Sequence, residues 1–146
     1  MKTVNFNDIN VGDKSSQTKT VTQNDINDFA KVSGDHNPVH LSEEFAKATQ
    51  FGGIIAHGML AVSYISTVLG TQYPGAGSIF MGMNNVQFLG PVRPGDTITT
   101  TVTVTEKHAS KPIVKFACEC VNQDGHIVVK ADAVVRAPSA SPKPKP

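Results

Sequence analysis

The stretch IIAHGMLAVSYISTVL, Ile54 to Leu69, is the most apolar of the chain, and its reading decides the fold. Met59, Leu60, Val62, Ile65, Val68 and Leu69 fall on more than one face of a 3.6-residue period, and a helix apolar nearly all round has to be buried. Such a helix spans on the order of 24 Å, enough to lie across the sheet of a small domain. One sheet covers only one side of it. The remainder is therefore expected to meet the preceding helices or a second copy of the chain, which makes a homodimer the expected assembly.

From Ser78 onward the apolar period changes to two. Ile98, Thr100, Val102 and Val104 alternate with threonines, Val114, Phe116, Cys118 and Cys120 alternate with residues such as Lys115 and Glu119, and Ile127 to Arg136 is a further β-rich run. Turn signals at Pro94-Gly95-Asp96 and Asp124-Gly125 separate these runs, the second matching a tight hairpin. Helices first and strands after predict an α+β fold, with the long helix lying against a curled antiparallel sheet.

On the N-terminal side, Lys14 to Val21 is short and β-prone and reads as an edge strand. Thr22 with Asp25 three residues later forms a capping-box variant, and Ile26, Phe29 and Ala30 make one apolar stripe of a helix that ends at Gly34. Ser42 followed by Glu43 and Glu44 caps a second, short helix running to about Ala48, after which Phe51-Gly52-Gly53 breaks it.

The 146 residues, 39% hydrophobic, suffice for one domain, assigned to residues 1–138. Residues 139–146, SASPKPKP, lack a core-forming side chain and read as a disordered tail. A net charge of +1 with 17% charged residues leaves no basic stripe for nucleic acid. No run reaches the length of a membrane span and the N-terminus lacks a signal pattern, so a soluble, cytoplasmic protein is expected. Cys118 and Cys120, the two cysteines, share one face of a strand without bridging geometry and read as small core residues. Neither a dinucleotide-binding glycine pattern, nor a P-loop, nor a nucleophile elbow is found, so no nicotinamide, flavin or nucleotide cofactor is expected.

Between the first two helices lies SGDHNPVH, Ser33 to His40. Gly34 permits unusual backbone angles and Pro38 removes an amide and biases Asn37 towards an extended conformation, so the segment reads as a shaped loop, neither helix nor strand. It presents Asp35 and His40, a carboxylate and an imidazole able to take a proton from one atom and return one to another, as adding or removing water requires. Asn37 is expected to brace the loop, since an amide carries protons poorly but bonds in both directions. His36 and His40 have the spacing of a helical metal pair, yet Pro38 interrupts that face, and no metal is expected. Free amides at the start of the long helix, near His57 and Gly58, suit a developing negative charge, and a glycine there lets a substrate approach closely or simply permits packing. His57 is expected to be structural, while His108 and His126 fall at turns.

SGDHNPVH, then HGML at His57 to Leu60, then GSIF at Gly77 to Phe80 and RPGDTI at Arg93 to Ile98, resemble in order the R-specific enoyl-CoA hydratases of the MaoC-like hot-dog family. The match runs from about Thr22 to Arg136. The resemblance implies a hot-dog fold, a homodimer, and reversible addition of water to a trans-2-enoyl-CoA giving the (R)-3-hydroxyacyl-CoA, with no cofactor beyond the coenzyme A of the substrate. It carries the base role to Asp35, the acid role to His40, the oxyanion donor to the Gly58 amide, and a place near the acyl group to Ser66. Fatty-acid oxidation and supply of polyhydroxyalkanoate precursors are the settings it offers. The rival readings are a hot-dog acyl-CoA thioesterase and a catalytically silent acyl-thioester-binding subunit.

Overall fold

A computed structural model of the chain describes residues 2–139. The elements run β1 (Lys14–Thr20), α1 (Gln23–Ser33), α2 (Pro38–Leu41), α3 (Glu43–Lys47), α4 (Gly58–Thr71), β2 (Ile79–Phe88), β3 (Thr97–Lys107), β4 (Ile113–Val121) and β5 (Ile127–Arg136). All strand pairs are antiparallel, in the order β1-β3-β4-β5-β2, so β1 and β2 are the edges. This is the α+β hot-dog arrangement: α4 touches all five strands, which curl around it. The tail expected over residues 139–146 lies, Ser139 apart, outside the described residues.

Alternation builds the core. Ile98, Thr100, Val102 and Val104 of β3 and Val114, Phe116, Cys118 and Cys120 of β4 are all buried, as are Leu60, Ala61, Ile65, Val68 and Leu69 of α4. Each large aliphatic side chain so removed from water contributes about 1.5–3 kcal/mol. On the outer face, hydroxyl pairs Ser16–Thr101, Thr18–Thr99 and Thr20–Thr97, at 2.8, 3.1 and 2.9 Å, bind edge strand β1 to β3. The β4–β5 hairpin closes through the Asn122 amide donating to the His126 carbonyl, with Gly125 at φ +80°, the left-handed position such a loop requires.

The long helix differs from its expected form in two ways. It begins at Gly58, because Ile54 to His57 are spent on tertiary hydrogen bonds: the Ala56 amide donates to Val92 (2.7 Å) and the Ile55 amide to Val39 (3.3 Å). It is also not apolar all round, since Ser66 and Thr67 are exposed and Ser63, Thr67 and Thr71 return their hydroxyls to carbonyls of their own helix. Of the exposed large apolar residues, Ile79, Met81, Val86, Phe88 and Leu89 lie on β2 and its exit, Met59 on α4, and Val11, Val32 and Phe45 on the N-terminal side of the chain.

Burial pushes the Cys118 thiol up to about 12 and raises that of Cys120 as well, so both stay protonated at neutral pH. Neither cysteine should react with a thiol reagent at pH 8 until denaturant is added, when both should react. Rapid labelling of the folded chain would contradict this packing.

Candidate active site

The loop before α2 is built by local side-chain bonds. Helix α1 starts on its capping box, with Thr22 Oγ1 accepting from the Asp25 amide (3.1 Å) and the Asp25 carboxylate accepting from the Thr22 amide (3.0 Å). It ends at Gly34, φ +80°, the left-handed residue that turns the chain out of the helix. Ser33 Oγ then accepts from the Asp35 amide (3.1 Å), Asp35 Oδ1 from the Asn37 amide (3.2 Å) and Asn37 Oδ1 from the Val39 amide (3.2 Å). These successive side chains orient the backbone from one helix to the next.

The segment expected to be wholly irregular contains one helical turn, α2. Pro38 takes its first position, where a missing amide costs nothing, and Asn37 is its cap. That turn carries His40 inward until it is only 8% exposed. Its Nδ1 lies 2.7 Å from the Ile55 carbonyl, which can only accept, so Nδ1 carries a proton and Nε2 is the position open to chemistry.

His57 stands beside it. Sequence spacing gave it no connection to His40, yet the rings stack, with centroids 3.8 Å apart and planes inclined by 28°. Its Nε2 donates to the Asp35 main-chain carbonyl at 3.0 Å, Phe29 leans on it at 4.9 Å, and its Nδ1 is buried without a partner. The residue also caps α4 by position, so its backbone leads directly into Gly58. Only its place immediately before Gly58 could have drawn attention to it.

Asp35, His40 and His57 each offer a ligand-type atom within 4.8 Å of the other two. The Asp35 carboxylate makes no direct ion pair with His40 among the described residues. Two hydrogen bonds of about 2.8 Å meeting at a tetrahedral oxygen span about 4.6 Å, so a separation within 4.8 Å can be bridged by one water. A shared metal ion fits less well, since stacked imidazoles direct their in-plane lone pairs side by side and do not converge on one point.

The first amide of α4 with a backbone acceptor is that of Leu60, bonded to His57 at 3.0 Å, which leaves the amides of Gly58 and Met59 free of helical partners. A Cβ on Gly58 would lie 2.5 Å from the ring of Phe88, so any larger residue there would oblige that exposed ring to move, irrespective of any substrate. His40 and Gly58 open on a cavity of about 600 Å³ whose walls include Phe51, Ile55, Phe88 and Leu89. One polar ring in an apolar chamber of this size suits an acyl chain with its reactive end at His40.

Of the residues expected at the site, Asp35 is exposed and lies near His40 without lining the cavity, and Asn37 is spent on backbone. Ser66, which the resemblance puts near the acyl group, is exposed and lines a separate groove with Phe29, Met59, Val62, Phe80 and Met83; only Met59 is common to this groove and the cavity. Its position eight residues beyond Gly58 puts it about 12 Å further along α4.

The sequence pattern of the MaoC like domain matches residues 7–123. An (R)-specific enoyl-CoA hydratase of Rhodospirillum rubrum is 43% identical over 134 residues, covering 92% of each chain. The crystallised R-hydratase of Pseudomonas aeruginosa superposes with a TM-score of 0.89 at 36% identity, over 99% of this chain and 94% of that one. An (R)-hydratase of Aeromonas caviae involved in PHA biosynthesis does so with a TM-score of 0.86 at 39% identity, over 89% and 98%. With the pattern matched over most of its length and relatives this similar end to end, the chain belongs to the MaoC-like family of hot-dog proteins.

Proposed function

We propose that this protein is an (R)-specific enoyl-CoA hydratase, reversibly adding water to a trans-2-enoyl-CoA to give the (R)-3-hydroxyacyl-CoA. The observation that carries the reading is the pairing of the Asp35 carboxylate with the His40 ring, within 4.8 Å, where His40 lines an apolar cavity. Its relatives named as R-hydratases support it, and the R configuration comes from them alone.

In this mechanism His40 starts with both ring nitrogens protonated. Water held between Asp35 and His40 attacks C3, Asp35 takes a proton from that water, and Nε2 of His40 gives its proton to C2. The proton on Asp35 then passes to Nε2 through a water to restore both groups. Oxygen and hydrogen add across the double bond, no electrons are gained or lost, and no cofactor is required beyond the coenzyme A of the substrate. The Ile55 carbonyl confines the exchangeable proton to Nε2 by holding the other on Nδ1. As the C3–O bond forms, negative charge grows on the thioester oxygen, and the free Gly58 amide at the N-terminus of α4 donates to it. The ring of Phe88 lies against Gly58 and would have to swing aside as the thioester enters.

Incubation with crotonyl-CoA should consume the enoyl absorbance without releasing free thiol; release of thiol would make the protein a thioesterase instead. Asp35→Asn and His40→Gln should each lower turnover at least about a hundredfold while leaving thermal unfolding in place. Near-normal turnover in both would remove these residues from the chemistry.

We also infer a homodimer, formed along β2. This edge strand has one paired neighbour, β5, and its apolar side chains Ile79, Met81 and Phe88 are each more than half exposed. An unpaired apolar edge is the surface a second copy would cover. Light scattering at low micromolar concentration should give twice the chain mass, and Met81→Lys should shift it towards the monomer.

A further inference from the structure

His57 touches every part of the proposed water-handling pair and takes none of its protons. Through Nε2 it binds the main chain of Asp35, through its face it binds the ring of His40, and through its own main chain it leads into Gly58. A carbonyl can only accept, so the neutral ring has its proton on Nε2 and a lone pair on Nδ1. That Nδ1 is buried and unpartnered, in a residue only 3% exposed.

An unpaired buried nitrogen is unfavourable. A phenylalanine would fill the same space against His40 and Phe29 with no such penalty, so packing alone does not account for an imidazole here. What phenylalanine lacks is the N–H that binds the Asp35 carbonyl. That bond matters because Asp35 lies on an exposed loop whose other restraints come from its near neighbours Ser33 and Asn37. Among these bonds, His57 supplies the one that ties the Asp35 main chain to the buried helix α4.

We propose that His57 is a positioning residue of the hydration site: its Nε2–H fixes the Asp35 backbone while its face fixes the His40 ring, so that carboxylate and imidazole stay one water apart. The proposal rests on the hydratase reading. It predicts that losing the N–H damages turnover more than binding, because a displaced base misplaces the attacking water without altering the acyl cavity.

The test compares His57→Phe, which keeps an aromatic face and loses the donor, with His57→Gln, which keeps an N–H and loses the ring. In the full chain with crotonyl-CoA, His57→Phe should lower kcat about 10- to 100-fold with KM within about threefold and an undiminished melting temperature. His57→Gln should recover most of that loss. Independently of activity, nitrogen-15 spectra of the wild-type histidines at neutral pH, assigned by the signal missing in His57→Gln, should show His57 with its proton on Nε2. Full turnover in His57→Phe, no recovery in His57→Gln, or a proton on Nδ1 would each overturn the proposal; if neither variant folds, the wild-type spectrum decides, with the His57 ring assigned through its bonds to its own backbone. A wild-type chain that leaves crotonyl-CoA unchanged would sink the hydratase reading itself, whereas an active wild type with an equally active His57→Phe would sink the clamp alone.

Discussion

Burial of α4 inside the curled sheet is the constraint from which the remainder follows. Its seven buried residues leave that helix no stable place except against the strands, and the five-stranded sheet is long enough to cover it. Once α4 is fixed, its N-terminus is fixed as well, and with it a pair of amides that the helix itself cannot satisfy. The incoming chain from Ile54 to His57 is held extended by bonds to Val39 and Val92, so the helix start faces α2 on one side and the exit of β2 on the other. A cavity at that junction is a consequence of where the helix must begin.

Main-chain and side-chain groups divide the work at this junction. Backbone carbonyls of Ile55 and Asp35 hold the two imidazoles, and each carbonyl settles which nitrogen of its ring carries hydrogen. Side-chain oxygens of Ser33, Asp35 and Asn37 in turn hold backbone amides of the loop. Reciprocal holding of this kind keeps a reactive geometry without burying the carboxylate, so Asp35 remains hydrated while His40 lies in the wall of an apolar chamber. Such a division suits a reaction in which one reactant is water and the other is largely hydrocarbon.

Much of the architecture was legible before any coordinates. The capping box at Thr22, the stop at Gly34, the cap at Ser42, the edge position of β1 and the alternation of β3 and β4 all depend on neighbours close in sequence, and all stand where the residues put them. The errors have a common origin. Ile54 to His57 are apolar enough to extend the helix, but distant carbonyls claim the amides of Ile55 and Ala56; the resemblance puts Ser66 near the acyl group, but the face of α4 that carries it turns outward.

The sequence by itself determined the elements and the shaped loop that carries Asp35 and His40, because periodicity, capping and turn chemistry are local. Only the tertiary structure decided that His57 lies on His40, that Phe88 abuts Gly58, and that more of the exposed apolar surface falls on β2 and its exit than on the long helix. The first two relations join residues 17 and 30 positions apart. They are set by how a buried helix sits across a curled sheet, a geometry that no spacing along the chain encodes.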